Sequence, residues 1–147
     1  MAENNGFRVR IPFLEFMGIQ ARHIGPGDAD VELVLGPHHC NSFGIAHGGV
    51  IMTLLDVTMA VAGRAADPHD RGMVTIEMKS AFMRPGRGTL RTTARCVHRS
   101  TTMAFCEAEI TNLDGEIVAR GSGTFKFVRS MPDRRGRAAK VLPGGDG

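Results

Sequence analysis

The stretch HGGVIMTLLDVTMAVAGRA, which spans residues 47–65, decides the fold of this chain. Its apolar residues recur at helical spacing and also fill most of the remaining faces, a pattern typical of a buried helix. We therefore predict a helix over about residues 48–64, with Gly63 at its carboxyl end. The helix begins at Gly48 and carries one carboxylate, Asp56, near its middle.

The segments on both sides of this helix alternate between apolar and polar residues, which predicts β-strands. Asp114-Gly115 separates two of them and is a strong hairpin signal. In the strand after the helix, Val74, Ile76, Met78 and Phe82 alternate with Thr75, Glu77 and Lys79, so the apolar residues are expected to share one face. Antiparallel strands with one segregated helix define an α+β fold, in which one curved sheet of about six strands wraps round the central helix. The predicted strands span about residues 17–24, 29–35, 74–82, 90–98, 103–112 and 116–128, and one helical turn at residues 11–16 precedes them.

Length and composition indicate one globular domain. The chain has 147 residues, of which 42% are hydrophobic and 22% charged. It is therefore large enough to form a core without disulfides or metals. Residues 1–128 carry 13 basic and 13 acidic side chains, so the net charge of +3 comes from residues 129–147. We divide the chain into a folded domain, residues 1–130, and a basic tail, residues 131–147, which we expect to be flexible.

The composition also excludes several classes of partner. The basic excess lies in the tail and the chain has no Trp or Tyr, so we expect no nucleic-acid partner. The longest weakly polar stretch, residues 50–63, is shorter than the ~18–20 residues of a membrane span, so we expect no membrane partner. The start MAENNGFRVR lacks the apolar segment of a signal peptide, and the three cysteines form no CxxC pair. We therefore expect a cytoplasmic location.

Polar residues near the start of the helix are the candidate functional residues. A carboxylate such as Asp56 is rare in a buried helix. The first backbone N–H groups, at Gly48 and Gly49, are unobstructed and suit a developing negative charge. Asn41 and His47 lie just upstream of the same helix end. This combination suits acyl transfer, with backbone donors for a tetrahedral intermediate and a carboxylate as base or nucleophile.

The spacing of Gly48 and Asp56 predicts an assembly of at least two chains. Eight residues of helix separate them, which corresponds to about 12 Å at ~1.5 Å per residue. That distance is too long for both residues to act on one carbonyl. Two antiparallel helices related by a two-fold axis would bring Asp56 of one chain to Gly48 of the other, and would create two equivalent sites.

At this point the sequence resembles the hotdog-fold acyl-CoA thioesterases of the phenylacetate-degradation type. The resemblance rests on the pattern N-x-x-G-x-x-HGG-x₆-D, here Asn41 to Asp56, and on the run VTIEMKSAFMRP at residues 74–85. Together with the element order, it covers about residues 10–128. It implies a hotdog fold, coenzyme A thioesters as substrates, and no metal or other cofactor. It also implies a homodimer as the minimal active unit, within a dimer of dimers.

The resemblance further implies roles for individual residues. Asp56 would be the general base or the nucleophile, and the Gly48 amide would hold the thioester oxygen. Asn41 would orient the carbonyl or the water. Thr75 would position the water near the acid, and His47 would shape the helix start. Together with the residue-based interpretation, this gives a candidate catalytic set of Asp56, Gly48 and Asn41 and a candidate substrate-binding set of His47, Gly49, Thr75 and Arg84.

Less specific interpretations stay open beside these roles. Asp56 could be a structural acid, His47 a helix cap, Thr75 an ordinary strand residue, and Arg84 a solvated charge rather than a ligand for the phosphates of coenzyme A. The run His38-His39-Cys40 is not expected to bind a metal, because adjacent residues of an extended chain point to opposite sides. The alternative function is a non-catalytic acyl-CoA-binding protein, and a hydratase or dehydratase on the same fold is a third.

Overall fold

In the computed structural model, the chain forms one six-stranded antiparallel sheet around a central helix. The structure describes residues 5–129, 131–132 and 138–139. In chain order, the elements of the domain are helix α1 (Pro12–Met17), strands β1 (Gln20–Gly25) and β2 (Asp28–Val34), helix α2 (Gly48–Ala65), and strands β3 (Gly72–Phe82), β4 (Thr89–Arg99), β5 (Met103–Thr111) and β6 (Ile117–Val128). A 3-10 turn, Pro37–His39, lies between β2 and α2.

The six strands lie in the order β1-β2-β4-β5-β6-β3, and helix α2 contacts every one of them. Inward-facing residues alternate with outward-facing charges, so that in β4 Leu90 is buried while Arg91 is half exposed at 46% of its side chain. The hairpin between β5 and β6 turns at Gly115, whose φ of 78° favours glycine. The predicted α+β hotdog architecture is therefore confirmed, with strand bounds shifted by up to three residues.

Helix α2 ends two residues later than Gly63, the residue predicted to end it. Its last residue is Ala65, and the C-cap is Ala66. Gly63 is a buried helical residue, and a Cβ atom built on it would lie 2.8 Å from Met73 Cε and 3.2 Å from Cys106 Sγ. The prediction was wrong here because this glycine allows the helix to lie close against the sheet rather than ending it.

Only one side of α2 is covered, which corrects the expectation of a helix buried on nearly all faces. Leu54, Leu55 and Met59 are fully buried against the sheet. On the other side Met52 is 44% exposed, and Asp56 is half-buried. The apolar residues that pattern analysis assigned to the core therefore include some that face away from it within one chain.

Strand β3 lies at the edge of the sheet and contains a bulge. The register with β6 shifts between Thr75 and Glu77, which leaves Ile76 as the extra residue. Ile76 is consequently 55% exposed, although the alternating pattern grouped it with Met78. Met73 contacts α2 before the bulge and Met78 packs on the core after it. The prediction of one unbroken alternation along this strand is thus wrong, because a one-residue insertion reverses the faces.

Helix α2 has 18 residues and a mean hydropathy of 1.3, so by length and composition alone it could cross a membrane. The sequence-based argument that this stretch is too short was therefore wrong. Its contacts with all six strands make it the core helix of this sheet. In the tail, strands β7 (Met131–Pro132) and β8 (Ala138–Ala139) pair with each other. The expected flexibility of residues 131–147 concerns mostly residues outside those described.

Candidate active site

Asp56 and Thr75 form a direct contact between helix α2 and strand β3. The Thr75 hydroxyl donates a 2.6 Å hydrogen bond to Asp56 Oδ1. Asp56 is half-buried on the uncovered side of α2, and no cation of the described residues lies within ion-pair distance of it. Its Oδ2 atom has no partner within the described part of the chain. The carboxylate is therefore oriented by one neutral donor, and one of its oxygens is left to meet a ligand or water.

His47 is the N-cap of helix α2. Its Nδ1 accepts a 2.8 Å hydrogen bond from the Gly49 amide, and its carbonyl accepts from the amides of Val50 and Ile51. A Cβ atom built on Gly49 would lie 3.1 Å from His47 Nδ1, so glycine leaves room for the ring. The structure thus makes His47 a cap that fixes the start of the helix, as the sequence analysis proposed.

The Gly48 amide is the unoccupied donor at this helix end. Among the residues described, no group accepts a hydrogen bond from it, whereas the next amide is bound to the His47 ring. A Cβ atom built on Gly48 would meet one neighbour, Phe82 Cε1, at 3.9 Å, which is ordinary contact. Close packing within this chain therefore does not explain the glycine. A free N–H at the positive end of a helix is suited to bind an oxyanion.

Asn41 lies in the loop before α2, and its side chain forms hydrogen bonds within that loop. Its Oδ1 accepts hydrogen bonds from the amides of Phe43 at 2.9 Å and Ile45 at 3.4 Å. The loop is held to the helix start because the His47 amide donates to the His39 carbonyl at 2.8 Å. The side-chain nitrogen of Asn41 has no acceptor within the described ranges. Asn41 is thus a loop-stabilising residue that keeps two N–H donors for a ligand.

His39 is buried, and both nitrogens of its ring already have hydrogen-bond partners. Nδ1 accepts from the Gly36 amide at 2.8 Å, and Nε2 lies 2.7 Å from the Met17 carbonyl oxygen. Both ring nitrogens are therefore committed to the backbone. The ring thus holds the loop that leads to Asn41.

Arg84 and Arg87 lie in the segment between β3 and β4. Arg84 donates to the Ile117 carbonyl at 2.8 Å and lies 3.5 Å from Glu116 Oε2, so its guanidinium is partly committed. Arg87 is exposed, and no described residue forms an ion pair or hydrogen bond with its side chain. It lines an open groove together with Asn41. Arg87 is therefore the arginine whose charge is not already paired with a described residue, and it is the better placed of the two to bind an anion.

Gly48 and Asp56 remain apart within one chain, as their helical spacing requires. Gly49, Met52 and Asp56 follow one another along the uncovered stripe of α2. Beside this stripe, the edge strand β3 exposes Ile76 at 55% and ends at Phe82, which is 56% exposed. Sequence reasoning missed Ile76 as a surface residue, because the bulge that exposes it leaves no signal in a period-two pattern. Phe82 is exposed as the last residue of the edge strand, beside the start of α2.

Comparison with known proteins places the chain in a family. Residues 43–119, just over half of the chain, match the family model described as the thioesterase superfamily. A conserved protein from Pseudomonas aeruginosa has a solved structure that superposes with a TM-score of 0.78 at 34% identity, covering 82% of this chain and 97% of that one. The chain belongs to the thioesterase superfamily, and it is a thioester hydrolase.

Two further proteins are similar to this chain. Human acyl-coenzyme A thioesterase 13 is 28% identical over 102 residues, which are 67% of this chain and 72% of that protein. The E. coli PaaI protein from the phenylacetic acid degradation operon shares the fold, with a TM-score of 0.75 at 24% identity over 81% of this chain and 86% of that one.

Proposed function

We propose that this protein hydrolyses acyl-coenzyme A thioesters to a carboxylic acid and free coenzyme A. The observation that carries the proposal is the Asp56 carboxylate, held by Thr75 on an uncovered helix face that also begins with the free Gly48 amide. The name of the human relative supports a coenzyme A thioester as the substrate. No metal or cofactor takes part in this proposal, since coenzyme A belongs to the substrate.

The active unit in this proposal is a homodimer. The uncovered stripe of α2 exposes Met52, and the unpaired edge strand β3 exposes Ile76 and Phe82, so a second copy packed on this side would cover these apolar side chains. Antiparallel packing of two α2 helices places Gly48 of one protomer near Asp56 of its partner. A dimer of dimers is the proposed final assembly, and sedimentation analysis of the protein tests it.

In the proposed mechanism the thioester carbonyl oxygen binds the Gly48 amide of one protomer. The helix N-terminus stabilises the negative charge that grows on this oxygen as the carbonyl is attacked. The Asp56 carboxylate of the partner removes a proton from the attacking water. Alternatively it attacks the carbonyl itself and forms an anhydride, which water then hydrolyses. In both routes the carbon–sulfur bond breaks and coenzyme A leaves as the thiolate.

The remaining residues are proposed to position the substrate. The free side-chain nitrogen of Asn41 is a donor for the carbonyl or the water. Thr75 fixes the orientation of the Asp56 carboxylate through its 2.6 Å hydrogen bond. Arg87, and Arg84 to the extent that its bonds to Ile117 and Glu116 allow, supply positive charge for the phosphates of coenzyme A.

The test is release of free thiol from a panel of coenzyme A thioesters with short-chain, long-chain, phenylacetyl and hydroxybenzoyl groups. The native protein is compared with Asp56→Ala and with the isosteric Asp56→Asn. We expect turnover by the native protein on at least one thioester and none above background by either variant, with substrate binding retained. The ranking of the panel then defines the acyl class.

Two outcomes would contradict the proposal. If Asp56→Ala turns over the thioesters at the native rate, Asp56 takes no part in the reaction. Binding of the thioesters without turnover by the native protein would favour the non-catalytic acyl-CoA-binding protein instead.

We also propose a cytoplasmic location, which is consistent with the three free thiols of the chain.

A further inference from the structure

Two of the three cysteines are directly opposite each other in neighbouring strands. Cys96 on β4 pairs with Cys106 on β5 in the register of the sheet. The Cys96 amide donates to the Gly27 carbonyl at 2.7 Å, on the side of β4 that faces away from β5. Because the amide and carbonyl of one residue point to the same side of a strand, the two cysteines form a non-hydrogen-bonded pair.

This kind of pair brings two side chains as close as an antiparallel sheet allows. Its Cα atoms lie about 4.5 Å apart, which falls within the ~4.4–6.8 Å range over which disulfides form. Both strands have hydrogen-bonded neighbours on either side, β2 beside β4 and β6 beside β5, so the register of the two sulfurs is held by the sheet. Little movement of the backbone is therefore needed to join them.

The two thiols differ in their surroundings. Cys106 is 2% exposed and packs beside Gly63 of helix α2. Burial, and to a smaller extent the adjacent Cys96 sulfur, raise the pKa of Cys106 to about 12. Cys96 is half-buried, and its thiol donates to the His98 carbonyl at 3.5 Å. A reagent from solvent therefore reaches Cys96 first, while Cys106 stays protonated behind it.

We propose that Cys96 and Cys106 form a reversible dithiol site that a small-molecule disulfide, such as oxidised glutathione, converts to a cross-strand disulfide. The Cys96 sulfur, as the thiolate, attacks one sulfur of the reagent and releases the first half of the reagent as a thiolate. This thiolate takes the proton of Cys106, and the Cys106 sulfur then attacks Cys96 in the mixed disulfide and releases the second half as a thiolate, which takes up the proton that Cys96 lost to the solvent. The protein loses two hydrogen atoms, and the reagent disulfide is reduced to two thiols.

The third cysteine supplies a control within the same chain. Cys40 lies in the segment before α2, outside the β4–β5 pair, and its thiol donates to the Gly36 carbonyl at 3.5 Å. It has no cysteine opposite it in the sheet. The folded protein is therefore expected to form one of the three possible bridges, whereas the denatured chain forms bridges that include Cys40.

The experiment treats the reduced, folded protein with oxidised glutathione, blocks the remaining thiols by alkylation, and reads the intact mass and the linked tryptic peptides. We expect the loss of two hydrogen atoms and a Cys96–Cys106 peptide, both in the native protein and in Cys40→Ser. We expect no bridge in Cys96→Ser, and a glutathione adduct that persists on Cys96 in Cys106→Ala. Circular dichroism verifies that each variant is folded.

Three results would overturn the proposal. The first is a glutathione adduct that stays on Cys96 in the folded native protein. The second is a bridge from Cys40 under the same conditions. The third is an unchanged mass in protein whose circular dichroism is native.

Discussion

The Thr75 hydroxyl donates a 2.6 Å hydrogen bond to Asp56 Oδ1 and thereby joins the edge strand β3 to the central helix α2. The bulge at Ile76 follows immediately, so the register of β3 changes just after the residue that holds the carboxylate. Bulges commonly re-aim side chains next to functional sites. The orientation of the proposed catalytic acid therefore depends on the local shape of an edge strand.

Replacing Thr75 by Val should lower kcat while the protein remains folded. The side chain keeps its size, but Asp56 loses the donor that orients it, and misplacement of a catalytic group by ~1 Å can cost up to about 10²-fold in rate. Thr75→Ser keeps the hydroxyl and should stay within a few-fold of the native rate, at about the same KM. Steady-state thiol release measures both. Equal loss in the Ser and Val variants would show that the hydroxyl does not act through Asp56.

Gly48 offers a matched pair of variants that differ in one backbone donor. Gly48 is the first residue of α2, a position where proline is well accepted, and His47 before it has φ −59° and ψ 141°, which suits a residue preceding proline. Gly48→Pro removes the N–H and should reduce kcat by about 10²–10³-fold. Gly48→Ala keeps the N–H, and its Cβ would meet one atom at 3.9 Å.

Kinetics with the preferred thioester distinguish the two variants, and circular dichroism checks the helix. If Gly48→Pro has the native kcat, the Gly48 amide does not form part of the oxyanion site. If Gly48→Ala loses as much rate as Gly48→Pro, the role of Gly48 is steric instead, at the contact with a second chain.

Asp67 should make a pH-dependent contribution to stability. Its carboxylate accepts hydrogen bonds from the backbone and guanidinium of Arg71 at 2.9–3.1 Å, and these bonds hold its pKa well below the usual range of a carboxyl. A lowered pKa stabilises the fold above the unfolded value of about 4, and this stability is lost as the pH falls below that value. Asp67→Asn should therefore reduce the free energy of unfolding by about 3 kcal/mol at neutral pH.

Urea unfolding at pH 7 and pH 3 tests this prediction. The difference between native protein and Asp67→Asn should shrink at the lower pH, because the Asp67 carboxyl of the unfolded chain is then largely protonated while that of the native protein is still ionised. Asp70→Asn is the control, since Asp70 pairs with Arg64 but its side chain is 73% exposed, and it should change stability little. A difference that grows on acidification would contradict the assignment.

Much of the fold could be predicted because it depends on local patterns. The helix at residues 48–65 and the strand order along the chain follow from apolar periodicity, and Asp114-Gly115 correctly marks the last hairpin. The bulge at Ile76 and the buried role of Gly63 could not be predicted. Both depend on which element lies opposite, and a single sequence does not contain that information.

The residues of the candidate site also divide into those that the sequence could predict and those that it could not. Asp56, Gly48 and His47 could be found because helix-start chemistry and a carboxylate on an apolar helix are local signals. The bond from Thr75 to Asp56 joins residues 19 positions apart, so only the resemblance pointed to it. The open sides of α2 and β3 could not be predicted, because their exposed apolar residues follow the same spacing as the residues of the core.

The most direct test of the central claim mixes two inactive variants. Gly48→Pro and Asp56→Ala are each purified, then dissociated and reassociated together. In the mixed dimer one site receives Gly48 from one chain and Asp56 from the other, so about one quarter of native activity should return, given random pairing and one intact site in two. Recovery to that level would establish a site shared between protomers. If the mixture forms dimers and stays inactive, while native protein treated alike regains activity, Gly48 and Asp56 do not act together across the interface.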